Sequence, residues 1–102
     1  LKKIAELIRE LREQNGLLLR QVASEIEIDQ ALLSKIERGE RMPTKEQVIR
    51  LAKFYKVDEN DFLIAFLSDK LVYELQDEEM AVKAMQVAEK KINYITKKKN
   101  GK

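Results

Sequence analysis

Three serines, two acidic clusters and a set of polar residues between positions 20 and 45 are the side chains in this sequence that could do chemistry. The serines, Ser24, Ser34 and Ser68, have no base to activate them, because the chain holds no histidine. A serine hydroxyl is a weak nucleophile on its own, so nucleophilic triads in their usual form are excluded. The acidic clusters, Asp58-Glu59 and Asp77-Glu78-Glu79, stand where helices should begin, and capping explains them. Paired-carboxylate catalysis is left only formally open. Cysteine is absent and no Gly-rich phosphate loop occurs, so no disulfide, thiolate metal site or cofactor is expected, and the simplest home is the reducing cytoplasm. The remaining set is different. On a helical wheel of about 100° per residue, Leu33 and Ile36 point to one side while Ala31, Ser34, Lys35 and Arg38 lie on the other, with Gln30 at the exposed first turn. Such side chains are free to enter a groove.

The elements that must hold this face are legible from apolar spacing. Ile4, Leu7, Ile8 and Leu11 share one face of a first helix that runs to about Gln14, with Gly16 as a left-handed stop. Leu19, Val22, Ala23 and Ile26 define a short second helix. Asp29 is placed to cap a third, whose buried stripe is Leu33 and Ile36 and which ends at Gly39. After the loop Glu40-Arg41-Met42-Pro43, Thr44 with Gln47 forms a capping box that opens a fourth helix, with Val48, Leu51, Ala52 and Tyr55 inside. Asp58 caps a fifth, which begins Phe62-Leu63-Ile64-Ala65-Phe66-Leu67 and is apolar nearly all round. Asp77 is placed to cap a sixth, with Ala81, Ala84, Met85, Ala88, Ile92 and Ile95 along one face.

Two short helices joined by a tight turn, with small Ala23 at their crossing, meet the requirements of a helix-turn-helix over residues 19–36. The stretch Gly16 to Thr44 resembles the Cro and phage-repressor (XRE) family. The likeness rests on Val22-Ala23, on Leu33-Ser34-Lys35-Ile36-Glu37-Arg38-Gly39, and on Arg41-Met42-Pro43-Thr44. It extends over about residues 4 to 67 with the flanking helices included and leaves the last third unmatched. It implies an all-α, five-helix repressor-like domain with a sixth helix added, and sequence-specific binding of double-stranded DNA.

Position by position, the resemblance makes Gln30, Ala31 and Lys35 the base-reading residues, with Leu32 beside them. A Gln can bond adenine N6 and N7, a Lys can reach guanine O6 or N7, and a methyl can meet thymine. Ser34, Arg38, Arg41 and Lys45 are placed for phosphates, as are the N–H groups at the start of the fourth helix. The family usually caps the second helix with Ser or Thr followed by a phosphate-bonding Gln, where Leu18-Leu19 stand here; Arg20 is the substitute phosphate contact. Glu27 stands where the turn usually has Gly. Glu37 falls on the core side, and the resemblance pairs it with Arg12 as a buried structural ion pair.

With 44% apolar and 37% charged residues, the 102-residue chain suits one soluble helical domain with a short extension, and no apolar run is long enough to span a bilayer. Its net charge of +2 conceals an uneven distribution. Residues 1–57 carry 12 basic and 9 acidic side chains, 58–89 carry 2 and 9, and 90–102 carry 6 and none. The basic ends suit a polyanion and the acidic middle should face away from it. The expected organisation is a DNA-binding domain over 1–67, a helical extension over 68–96 for homodimerisation through helices five and six, and a frayed basic tail over 97–102. No small-molecule effector is indicated. A palindromic operator read by a twofold dimer follows from the short reach of one helix-turn-helix. Controllers of restriction-modification operons share this small layout; prophage repressors and antitoxins, the latter with C-terminal helices that bind a protein, are the alternative.

Overall fold

A computed structural model describes residues 2–101. Among them are six helices and no strand: α1 (Ile4–Gln14), α2 (Leu19–Glu25), α3 (Gln30–Glu37), α4 (Lys45–Tyr55), α5 (Glu59–Leu75) and α6 (Ala81–Gly101). None of them is long and apolar enough to cross a membrane. The chain divides into two units after Lys70, inside α5.

In the first unit, Ile4, Ile8, Val22, Ala23, Ile26, Leu33, Ile36, Val48, Leu51, Ala52, Phe62 and Phe66 are buried together. These are the periodic apolar positions of five successive amphipathic helices. Burying each of the larger side chains contributes about 1.5 to 3 kcal/mol, so this cluster is what overcomes the entropy of ordering short helices that would not persist alone. Leu7, Leu11, Leu19, Ile28 and Leu63 pack around it half-buried.

The helix ends use several devices. The box at α4 is complete: Thr44 Oγ1 accepts from the Gln47 N–H at 3.1 Å, and the Thr44 N–H donates to Gln47 Oε1 at 3.0 Å. Asp58 accepts from the Asn60 N–H at 2.7 Å to start α5. At α2 the cap residue is Leu18, which has no acceptor, and only the return half of a box forms, with the Leu18 N–H donating to Gln21 Oε1 at 2.8 Å. Gly16 takes φ +64° and turns the chain out of α1. A longer-range device ties the unit together: Asp69, on α5, accepts from the Ile4 N–H at 2.7 Å. A carboxylate there satisfies one of α1's otherwise unpaired N-terminal donors and complements the helix dipole.

Three expectations about the ends need correction. Asp29 occupies the cap position of α3 with extended backbone, but its side chain makes no capping bond. Asp77 does not cap α6; it lies in a turn closed by the Glu78 N–H to the Leu75 carbonyl, and the helix begins at Ala81. The chain from Lys97 to Gly101 is helical rather than frayed, and Lys102, the last residue of the expected tail, lies outside the described residues. No Pro or Gly interrupts the helix before Gly101, and lysines in a last turn complement the negative end of the helix dipole.

In the second unit, α6 is 21 residues long, and of its described side chains only Ala81 and Ala88 are even half-buried.

Candidate nucleic-acid interface

The pairing of α2 with α3 starts from a small residue. Ala23 is buried between them, and a side chain of one methyl lets the two helices approach closely. The chain leaves α2 through Ile26, whose N–H bonds the Val22 carbonyl at 3.0 Å, and then enters the left-handed region at Glu27, φ 61°. The Ile28 N–H reaches back to the Ala23 carbonyl at 3.0 Å, which closes the turn. An L residue in this conformation crowds its own backbone, and the strain is about 1 kcal/mol relative to Gly.

Arg50, one turn into α4's second half, secures the same turn. Its Nη1 donates to the Ile26 carbonyl at 3.0 Å, and its Nη2 to Glu46 at 3.1 Å. The Glu27 carboxylate lies 3.9 Å from Arg50, an exposed pair of little energetic weight. Sequence reasoning missed Arg50: the four-residue spacing from Glu46 signals only a surface pair, and nothing local announces its reach to the turn.

Helix α3 is held by Leu33 and Ile36, both 0% exposed, and by Glu37. Glu37 is 7% exposed, and both its oxygens accept from Arg12 Nε, at 3.1 and 2.9 Å. Arg12 Nη1 also donates to the Leu17 carbonyl at 2.9 Å, so one guanidinium ties α1, the following loop and the end of α3. Its bond to Glu37 holds the Arg12 pKa above its ordinary value, against an opposing effect of burial. Tyr55 is close enough for the Glu37 charge to act on it. Burial first, and that charge second, push the phenol up to about 12, and its hydroxyl finds no hydrogen-bond partner among the described residues.

The opposite face of α3 is open. Gln30, Ala31 and Lys35 are exposed, and Leu32 and Ser34 are half-buried at its margins. Arg20 is exposed in the first turn of α2, Arg41 in the loop after α3, and Lys45 at the first position of α4. None of Arg20, Lys35, Arg41 and Lys45 forms an ion pair among the described residues. At the start of α4, the Gln47 N–H is already taken by Thr44.

Arg38 is exposed but engaged. Its Nε and Nη2 donate to the two oxygens of Glu40, at 2.8 and 3.2 Å, and its Nη1 donates to Ser34 Oγ. The bond to Arg38 lowers the Glu40 pKa, and the charge of nearby Lys35 acts in the same direction. Gly39, at φ +75°, folds the chain so that Glu40 lies beside α3, its N–H on the Lys35 carbonyl at 2.9 Å. Glu40 thus neutralises a cation on the face expected to meet a polyanion, which the spacing of the sequence did not reveal.

A family model described as helix-turn-helix matches residues 8–62, more than half of the chain and all of α2 to α4. The HTH-type transcriptional regulator DdrOP3 of Deinococcus deserti is 36% identical over 70 residues, which cover 67% of this chain. The chain spans about half, 54%, of that relative's length. An exposed polar face on a rigidly seated second helix, a turn that keeps the left-handed geometry without Gly, and this match agree. The chain belongs to the XRE-type helix-turn-helix family of DNA-binding regulators.

Proposed function

We propose that this protein regulates transcription by laying the open face of α3 in the major groove of an operator, with two copies reading a palindrome. The observation that carries the reading is the seating of α3. Leu33 and Ile36 fix it from behind while Gln30, Ala31 and Lys35 stand clear in front. A rod so held can place a few side chains against base edges without ordering them first.

In this reading Gln30, Ala31, Leu32 and Lys35 meet bases, and Arg20, Ser34, Arg38, Arg41 and Lys45 meet phosphates that set the register. Arg38 must exchange Glu40 for a phosphate oxygen, so part of its gain offsets a lost ion pair. The copies sit roughly 34 Å apart on one face of the duplex, so that each α3 enters successive turns of the groove. The exposed apolar residues of α5, Ile64, Leu67, Leu71 and Val72, together with α6, supply surface for the dimer contact. Work on a chromosomal operator places the protein in the cytoplasm.

Selection of bound sequences from random duplexes tests the proposal. A palindromic consensus is the expected result, and no preference for any duplex at low ionic strength would overturn it. Mapping the recovered consensus onto promoters then assigns the regulated genes, with control of a restriction-modification operon as the narrow form of the proposal. A partner-binding role for the C-terminal helices, as in an antitoxin, predicts a second contact whose strength hardly changes between about 50 and 200 mM salt, where binding through several phosphates weakens steeply.

A further inference from the structure

Helix α6 exposes Ile92 by 61%, Ile95 by 55% and Met85 by 37%. An isolated helix of this length is marginal in water even with a favourable sequence, and helices gain most of their stability from a covered apolar face. The spacing of the apolar residues indicates the cover. Ala81, Met85, Ala88, Ile92, Ile95 and then Lys99 recur at alternating intervals of four and three. That is a sustained period of 3.5, the narrow seam of a coiled coil, rather than the broad face of a helix packed on a globular core.

In heptad terms Met85, Ile92 and Lys99 occupy a, and Ala81, Ala88 and Ile95 occupy d. The flanking positions are Val82, Glu89 and Thr96 at e, and Ala84, Lys91 and Lys98 at g. When two such helices lie parallel, each g residue faces the following e residue of the other. Ala84 then meets Glu89 of the partner subunit and Lys91 meets Thr96 of the partner subunit, and no like charges oppose. When they lie antiparallel with the seams fully overlapped, Lys91 meets Lys91 of the partner subunit and Glu89 meets Glu89 of the partner subunit. Both contacts repel. A single charged a residue, Lys99, also restricts how many strands can assemble, at some expense of stability. The Lys98 ammonium lies 5.7 Å from the Tyr94 ring, on the flank and away from the seam.

We infer that α6 pairs with α6 of a second copy as a parallel two-stranded coiled coil, with Met85, Ala88, Ile92 and Ile95 at its centre. The inference extends the operator-binding reading, because a parallel pair has the twofold axis that a palindrome requires, but the contact itself needs no DNA.

The test uses the full chain without DNA. Sedimentation should give two chains per particle at micromolar concentration. Ile92→Asp, at an a position, should abolish the dimer, while Asn93→Asp, on the outer face, should leave it intact. Because the chain holds no cysteine, single thiols report the direction of pairing. Ala81→Cys and Lys99→Cys should each form a disulfide-linked dimer alone under mild oxidation, since equal positions then lie within bridging distance. A monomer, a particle of three or more chains, an intact Ile92→Asp dimer, or linkage only when the two thiol variants are mixed would each overturn the inference. If duplex selection fails while these thiols link, the coiled coil stands and the operator reading falls. If the chain binds an operator but its thiols link only on mixing, the operator reading stands and the parallel coiled coil falls.

Discussion

Arg12 Nε donates to both carboxylate oxygens of Glu37, and the pair joins α1 to the C-terminal turn of α3 behind the open face. The Glu37 side chain is 4% exposed and that of Arg12 17%, so neither keeps its hydration when the other is removed. Replacing either residue by Ala should destabilise the fold by roughly 3 to 5 kcal/mol. Urea denaturation measures it. Loss of DNA binding in these variants should follow the unfolded fraction and return at low temperature or with a stabilising osmolyte, which separates a structural residue from one that meets DNA.

Tyr55 leads to a prediction about alkaline pH. Its folded pKa, pushed up to about 12, lies above the ordinary value of 10.0, so the folded state holds the proton more tightly than the unfolded chain. A raised pKa contributes stability that is complete below the unfolded value and is lost as pH rises through the folded one. Stability should therefore fall between about pH 10 and 12. Tyr55→Phe should lack this part of the slope. At neutral pH it should match or exceed the parent, since the lost hydroxyl has no partner to leave behind. A neutral-pH loss above about 1 kcal/mol would mean that the hydroxyl is in fact satisfied.

Glu27→Gly should stabilise the protein by about 1 kcal/mol, because only the backbone strain at φ 61° is relieved. Glu27→Ala removes the same weak contact to Arg50 and keeps the strain, so it should change little. Thermal melts of the two variants, compared side by side, make the distinction.

Glu40 and Arg38 form an exposed pair on the side proposed to face DNA. Glu40→Gln frees the guanidinium and removes a negative charge, so it should tighten binding to all duplexes alike, with a salt dependence steeper by about one phosphate contact. Arg38→Ala should weaken all sequences evenly, whereas Lys35→Ala should relax the preference at one position in each half-site. Competition with specific and random duplexes at several salt concentrations reads both. Indistinguishable effects of the last two substitutions would refute the division between base and phosphate contacts.

Arg50→Met keeps most of the side-chain bulk but leaves the Ile26 carbonyl without its donor. The expected loss of stability is about 1 to 2 kcal/mol. Because the turn sets the direction of α3, the ratio of operator to random affinity should fall further than the fraction of folded protein does. Equal falls would make Arg50 a purely structural residue.

The helices of the first unit could be read from the sequence because each carries its own apolar period, and the turn between α2 and α3 because Ala23, Ile26 and Ile28 mark its inward side. The Arg12–Glu37 contact was legible through the resemblance, which supplied a partner that spacing alone does not name. Arg50 and Asp69 were not, since each acts on the backbone of a residue far away in sequence, and a backbone carbonyl or amide has no residue type to reveal it. Asp29 and Asp77 misled for the opposite reason: a local preference for capping needs the chain to present its N–H groups to the carboxylate, and here it does not. The open face of α3 was visible from the wheel, but its electrostatics were not, because Gly39 returns Glu40 to the helix it has just left.

The hydrogen bond from Ile4 to Asp69 has a practical corollary for anyone shortening this protein. The matched family region stops at residue 62, and a fragment cut there would look complete in an alignment. It would nevertheless lack Phe66 from its interior and leave the opening amides of α1 unsealed. The minimal autonomous piece therefore runs to about Lys70, where the first compact unit ends, and crystallisation or selection fragments should be drawn to that point.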